Sequence, residues 1–162
     1  ICICINDKHK GLDIAVKALN MLNRDDITLL CVGDGEMPPI EHNLVRFHPV
    51  KDCLWLSCFY SASDFLLFPS RQESFGQTLI ESLCCGTPAV CTPVGIAPDI
   101  IDSTNGEVSD DFTPEAFAKA ITTALSRDYQ SDSIRTNVLK RFSPFVVADE
   151  YISVYKTINA QA

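Results

Sequence analysis

The chain has no basic surplus: 13 Lys and Arg stand against 21 Asp and Glu in 162 residues, a formal net charge of −8. That argues against a non-specific nucleic-acid or anionic-lipid surface, because such surfaces are built from clustered cations. A local basic patch for an anion stays open. No apolar run approaches the roughly 20 residues of a membrane-spanning helix. Eight cysteines are present, yet no Cys-x-x-Cys or His-x-His pair, so the zinc spacing templates fail. Cys2, Cys4, Cys31, Cys58, Cys84, Cys85 and Cys91 lie in or beside apolar runs and Cys53 flanks one. They read as reduced thiols acting as small hydrophobes in a cytosolic protein. Repeats, linkers and low-complexity tracts are missing as well.

What is there is a globular balance, 46% hydrophobic and 21% charged, which leaves no long disordered segment. The length suffices for one domain with a real core and is too short for two ordinary ones, so residues 1–162 are taken as a single domain. The opening "ICICIN" is already strand-like, with no Met or leader, as expected of a piece of a longer chain.

Short apolar runs alternate with amphipathic ones. "ICICI", "ITLLCVG", "LVRFHPV", "DFLLFPS" and "PAVCTPVG" predict strands. "GLDIAVKALNMLN" places Leu12, Ala15, Val16, Leu19 and Leu22 at helical spacing, and "CLWLSCFYSA" reads as helical. "PEAFAKAITTALS" predicts a helix with Pro114 in its first turn and Glu115 favouring the dipole. The last forty or so residues read as helical, interrupted near "FSPF". Apolar strands alternating with helices predict a doubly wound α/β domain, a parallel sheet covered on both faces. Ligands bind such folds at the carboxyl ends of the strands, where the loops "NDKHKG", "GDGEMP" and "PSRQESFG" fall.

The richest stretch is "PSRQESFGQTLIESLCCGTP". Phe75-Gly76 marks the passage from loop to helix, where free N–H groups can face an anion. Leu79, Ile80, Leu83 and Cys84 form the expected core face, and Gly86 with Pro88 ends the helix. Glu73 precedes the anion position and Glu81 follows it. Taken singly, each reads as a solvated charge. Together they suit a phosphate flanked by two diols, because a carboxylate repels phosphate but accepts hydrogen bonds from hydroxyls. A nucleotide sugar has that layout.

Glu73-x7-Glu81, with Phe75-Gly76 between and Gly86-x-Pro88 after, resembles the signature of family 4 glycosyltransferases, retaining enzymes of the GT-B fold. "KGLDIAVKAL", "VGDGE", "SASDFLLFPS" and "CGTPAVCTPVGIAPDII" resemble other segments of the same donor-binding, C-terminal half. The resemblance implies a Rossmann-like domain, one half of a GT-B enzyme. It implies transfer of a hexose from a nucleoside diphosphate sugar with retention, in polysaccharide or glycoconjugate biosynthesis. Glu73 matches the glutamate on the donor sugar's hydroxyls, and Glu81 the one on the ribose diol. Ser74, Phe75 and Gly76 match backbone positions near the diphosphate. Lys10 matches the lysine that offsets charge on the leaving diphosphate, a role in keeping with electrostatic catalysis. Gly33 and Gly35 are expected to line the donor cleft, and Val50 and Lys51 to lie near the base.

Two departures stand out. The arginine usual before the lysine is missing from "ICICINDK"; Lys8 and Arg71 are the nearest cations that could stand in, each otherwise a solvent-exposed charge. The donor-side loop reads Gly95-Ile96-Ala97-Pro98-Asp99, where a second glycine and Pro-Glu are usual. His9, His42 and His48 are given no catalytic role, since the family's active-site histidine belongs to the missing domain. With Lys10 and a helix start facing the diphosphate, and no Asp-x-Asp pair present, no metal or cofactor is expected. The implied partners are the nucleoside diphosphate sugar and the chain's own N-terminal domain, with no nucleic acid. A cytoplasmic location is implied, with peripheral membrane association through the missing domain as an option. Isolated, the domain is expected to transfer nothing. Tyr151 and Tyr155 in the last helices are expected at the surface or in a chain–chain contact. A nucleotide-sugar epimerase or hydrolase of the same fold, or a non-catalytic nucleotide-binding module, remain the alternatives.

Overall fold

The computed structural model describes residues 2–3 (backbone only), 8–34, 37–41, 43–50 and 52–160; Cys4, Gly35, His42 and Lys51 lie outside the described residues. The apolar runs form strands β1 (Cys2–Ile3), β2 (Thr28–Val32), β3 (Asn43–Phe47), β4 (Leu66–Phe68), β5 (Ala89–Cys91) and β6 (Gly106–Val108). All pair in parallel, in the order β3-β2-β1-β4-β5-β6. Cys2 of β1 lies opposite Cys31 of β2 and Leu67 of β4. The helices are α1 (Leu12–Leu22), α2 (Cys53–Ser61), α3 (Gln77–Cys84), α4 (Ala97–Ile100), α5 (Pro114–Leu125), α6 (Ser131–Phe142) and α7 (Pro144–Asn159).

The sheet is covered on two faces, and successive strand residues serve opposite ones. On one face Val16 and Leu19 of α1 and Phe117 and Ile121 of α5 pack over Leu29, Cys31, Leu67 and Val90. On the other, Tyr60 of α2, Leu79 and Leu83 of α3 and Ile134 and Val138 of α6 pack over Val32, Leu66, Phe68, Ala89 and Cys91. That double burial is why "LLF" and "AVC" are unbroken apolar runs. Each Val, Leu, Ile or Phe side chain so enclosed contributes about 1.5–3 kcal/mol relative to exposure.

The predicted architecture holds, with local corrections. β3 is a sheet edge with four of its five residues exposed, so coverage of both faces stops short of it. Short α4 and β6 were not predicted; their four and three residues are too brief for a periodicity to show. On α3 the buried residues are Leu79, Ser82 and Leu83, whereas Ile80 and Cys84 flank them, half-buried. Ser82 is fully buried and its hydroxyl is satisfied, donating to the Thr87 carbonyl at 3.0 Å. Among the cysteines, Cys31 and Cys91 are buried hydrophobes, Cys84 and Cys85 are half-buried, and Cys53 and Cys58 on α2 are exposed. The break near "FSPF" is real: Ser143 ends α6 and caps α7, its hydroxyl accepting from the Val146 N–H, with Pro144 in the first turn. α7 has no buried residue; Phe145, Tyr151 and Tyr155 are 84%, 62% and 61% exposed. No described helix is long and apolar enough to cross a membrane.

Candidate functional site

The strand order runs outward from the centre in both directions, so β1 and β4 are neighbours whose following helices, α1 and α3, lie on opposite faces of the sheet. The crevice above their carboxyl ends is where doubly wound sheets take ligands. Lys10 follows β1 in a 3-10 turn (Lys8–Lys10), and Glu73 follows β4 in the loop leading to α3. They meet across the crevice: Lys10 Nζ donates to Glu73 Oε1 at 2.7 Å.

The approach of the two loops is built into the backbone. Gly11 takes a left-handed φ of 64°, and a Cβ there would lie 1.9 Å from the Pro69 carbonyl oxygen. Only glycine fits both conditions. The Arg71 N–H donates to the His9 carbonyl at 2.6 Å. The Arg71 guanidinium makes a two-pronged contact with Asp13, at 2.7 and 2.8 Å, and donates to the Lys8 carbonyl at 3.0 Å. Arg71 is therefore a clamp between the loops rather than a loose surface charge.

The hydrogen-bonded guanidinium holds the Asp13 carboxyl below its ordinary value of 3.8. A carboxyl depressed in the folded state stabilises it above the ordinary value and ceases to do so as pH falls through the lowered one. Asp13→Asn is therefore expected to lower stability at neutral pH, by at most about 1 kcal/mol for a pair this exposed. The difference from wild type should shrink in urea unfolding below pH 3.8. A constant difference from pH 7 into that acid range would contradict the assignment.

Each glutamate has one oxygen held by the protein. Glu73 Oε1 accepts from Lys10 and also from the Ser70 hydroxyl at 2.9 Å. Ser70 is 2% exposed, and its carbonyl accepts from the Thr92 hydroxyl beyond β5. Glu81 Oε2 accepts from the Tyr60 hydroxyl at 3.0 Å. Burial, then the neighbouring Glu81 charge, pushes the Tyr60 phenol far above its ordinary value, so it keeps its proton and acts as a donor. The second oxygens, Glu73 Oε2 and Glu81 Oε1, have no hydrogen bond to another described residue.

Between the two carboxylates, α3 starts at Gly76, whose φ is 113° and which supplies no side-chain cap. The first helical bonds run from the Leu79 and Ile80 N–H groups to the Gly76 carbonyl, at 3.0 and 3.4 Å. The Gln77 and Thr78 amides precede them and suit an anion. Ser74 and Phe75 are exposed, and the Phe75 carbonyl accepts from the Ile96 N–H at 2.8 Å. Ile96 thus ties the donor-side loop to the start of α3, and a methyl of its side chain lies 3.7 Å from where a Cβ on Gly76 would sit. Gly33 follows β2, and its N–H donates to the Phe47 carbonyl at 2.9 Å. Val50 packs, half-buried, against the cluster around Tyr60 and Leu79. His48 pairs with Asp34 at the surface, at 3.2 Å.

An open cavity of about 330 Å³ is lined by His9, Lys10, Gln72, Glu73 and Ser74. A larger one, about 520 Å³, is lined by Ile27, Leu29, Phe65, Leu125 and others, and contains none of the site residues. It sits by the amino ends of β2 and β4, away from the loops that carry chemistry. Among the described residues no group of three or more His, Cys, Asp and Glu is arranged to hold a metal ion. The structure thus joins Lys10 with Glu73 and sets Gly76 at the α3 start, with Glu81 further along that helix. It also supplies three residues with no predicted role: Tyr60, Ser70 and Asp13. Tyr60 sits in an apolar helix where any aromatic reads as core; Ser70 and Asp13 carry no signal until their partners, distant or local, are known.

The chain is similar to known proteins over most of its length. A D-inositol 3-phosphate glycosyltransferase from Jonesia denitrificans is 27% identical over 177 residues, 94% of this chain and 41% of that protein. The chain therefore spans about two fifths of that relative's length. A glycosyltransferase from Rickettsia africae shares the fold at a TM-score of 0.80 and 22% identity, over 99% of this chain and 48% of that one. Anabaena HepE, solved with UDP and glucose, does so at a TM-score of 0.77 and 18% identity, over 96% of this chain and 47% of its own. The fold is thus the Rossmann-like one of GT-B glycosyltransferases. Residues 2–127 match the model of the glycosyl transferases group 1, a span that includes both switch-point loops, and the chain belongs to that family.

Proposed function

We propose that this is the donor-binding, C-terminal domain of a family 4 retaining glycosyltransferase, which moves a hexose from a nucleoside diphosphate sugar to an acceptor. The observation that carries the reading is the Lys10–Glu73 pair at the switch point, beside an uncapped helix start and followed by Glu81. In this reading the diphosphate sits over the Gln77 and Thr78 amides. Lys10 turns from Glu73 to the leaving phosphate as charge grows there. Glu73 Oε2 accepts from hydroxyls of the donor sugar, and Glu81 Oε1 from the ribose. Fixed cation and helix start together offset the phosphate charge, so no metal or cofactor is assigned. The acceptor and the remaining catalytic groups belong to an N-terminal domain, toward which the exposed aromatic side chains of α7 would face. Polysaccharide or glycoconjugate assembly in the cytoplasm is the setting that suits such a reaction.

The reading is tested by calorimetric titration of the full-length enzyme with UDP, GDP and ADP. One of the three should bind, and Glu81→Ala should weaken it about tenfold, the loss of one charged hydrogen bond. Equal binding by wild type and Glu81→Ala would count against the donor site described.

A further inference from the structure

The two glutamates are held differently. Glu73 is braced by a lysine and a buried serine, whereas the side chain of exposed Glu81 has one hydrogen-bond partner among the described residues, the Tyr60 hydroxyl. An exposed glutamate without that contact would sample several rotamers and lose that freedom on binding. Tyr60 is the opposite case. It is 1% exposed, and its ring lies in the cluster formed by α2, α3 and α6. Its carbonyl accepts from the Thr87 hydroxyl at 2.7 Å, and the Thr87 carbonyl from the Ser82 hydroxyl at 3.0 Å. The backbone of Tyr60 is thereby tied to the turn that closes α3. Helical side chains lean toward their helix's N-terminus, so a tyrosine late in α2 reaches back toward the carboxyl-end side of the sheet.

We propose that Tyr60 is a positioning residue: its O–H holds Glu81 Oε2 and thereby turns Oε1 toward the ribose diol of the bound nucleotide. The inference rests on the ribose role given to Glu81. One phenol proton occupies one carboxylate oxygen and leaves acceptor sites for the two ribose hydroxyls. The high phenol pKa keeps that proton in place throughout the neutral range. Core filling by the ring needs no hydroxyl, so phenylalanine separates the two roles.

The test uses the full-length protein, with the tightest binder among UDP, GDP and ADP and its 2′,3′-dideoxy counterpart. Wild type should prefer the ribose form about tenfold. Tyr60→Phe should cut that preference to about twofold or threefold, leave dideoxy binding and the thermal midpoint unchanged, and have no further effect in a Glu81→Ala background. A wild type without ribose preference overturns the role of Glu81 and that of Tyr60 with it. A preference kept in full by Tyr60→Phe overturns the role of Tyr60 alone. Equal weakening of both nucleotides overturns it too, because it marks a purely structural residue.

Discussion

Lys10→Met in the full-length enzyme is expected to lower the turnover of sugar transfer about 10²–10³-fold, the usual loss when one preorganised electrostatic group is removed. Lys10 Nζ donates to Glu73 Oε1 at 2.7 Å, so its help to ground-state binding would be partly offset by breaking that pair. In the proposed reaction the balance would shift as the glycosidic bond opens and negative charge grows on the leaving phosphate. The loss should therefore fall mainly on kcat, with nucleotide-sugar binding changed far less. Met keeps much of the stem, and Ser70 still donates to Glu73, so the site should stay folded. Lys10→Arg keeps the charge but not the compact ammonium, and should recover part of the rate. Turnover by Lys10→Met within about threefold of wild type would remove Lys10 from the mechanism.

Gly11→Ala is the substitution expected to damage the fold most. A left-handed backbone costs an L-residue about 1–2 kcal/mol. Overpacking against a neighbour that cannot yield costs about 1–3 kcal/mol more. Here the neighbour is a backbone carbonyl, that of Pro69, at 1.9 Å from the new carbon. The loops after β1 and β4 would have to separate, which pulls Lys10 from Glu73 and Arg71 from the Lys8 carbonyl. A stability loss of about 3 kcal/mol or more is expected in urea unfolding. It should come with a loss of nucleotide binding in whatever fraction remains folded. An alanine variant within about 0.5 kcal/mol of wild type would show that the loop contact yields easily.

The sequence made the sheet legible because double burial leaves a plain mark: "LLF" and "AVC" have no polar residue to lose. It made α3 and its limits legible because Gly76 and Gly86 punctuate both ends, with left-handed φ of 113° and 81°. What stayed hidden depends on pairs distant in sequence. Arg71 read as a surface charge because Asp13, 58 residues away, supplies its meaning. Tyr60 read as core, which it is, and its polar tip acquires a partner only when α2 and α3 are packed. β6 escaped because "GEV" has three residues and no alternation to display. The bond from the Gly33 N–H to the Phe47 carbonyl likewise joins residues 14 apart in the chain, and no local pattern marks it.

Placement of the donor nucleotide at the β1–β4 switch point is tested most directly by following backbone amide shifts in labelled protein titrated with UDP, GDP and ADP. Shifts should cluster at Lys10, from Ser74 to Thr78, at Glu81 and near Val50, and Glu81→Ala should need about tenfold more nucleotide to reach them. Shifts centred instead on Ile27, Phe65 and Leu125, around the larger cavity, would contradict the placement. So would a full-length protein that shows no shift with millimolar amounts of any of the three.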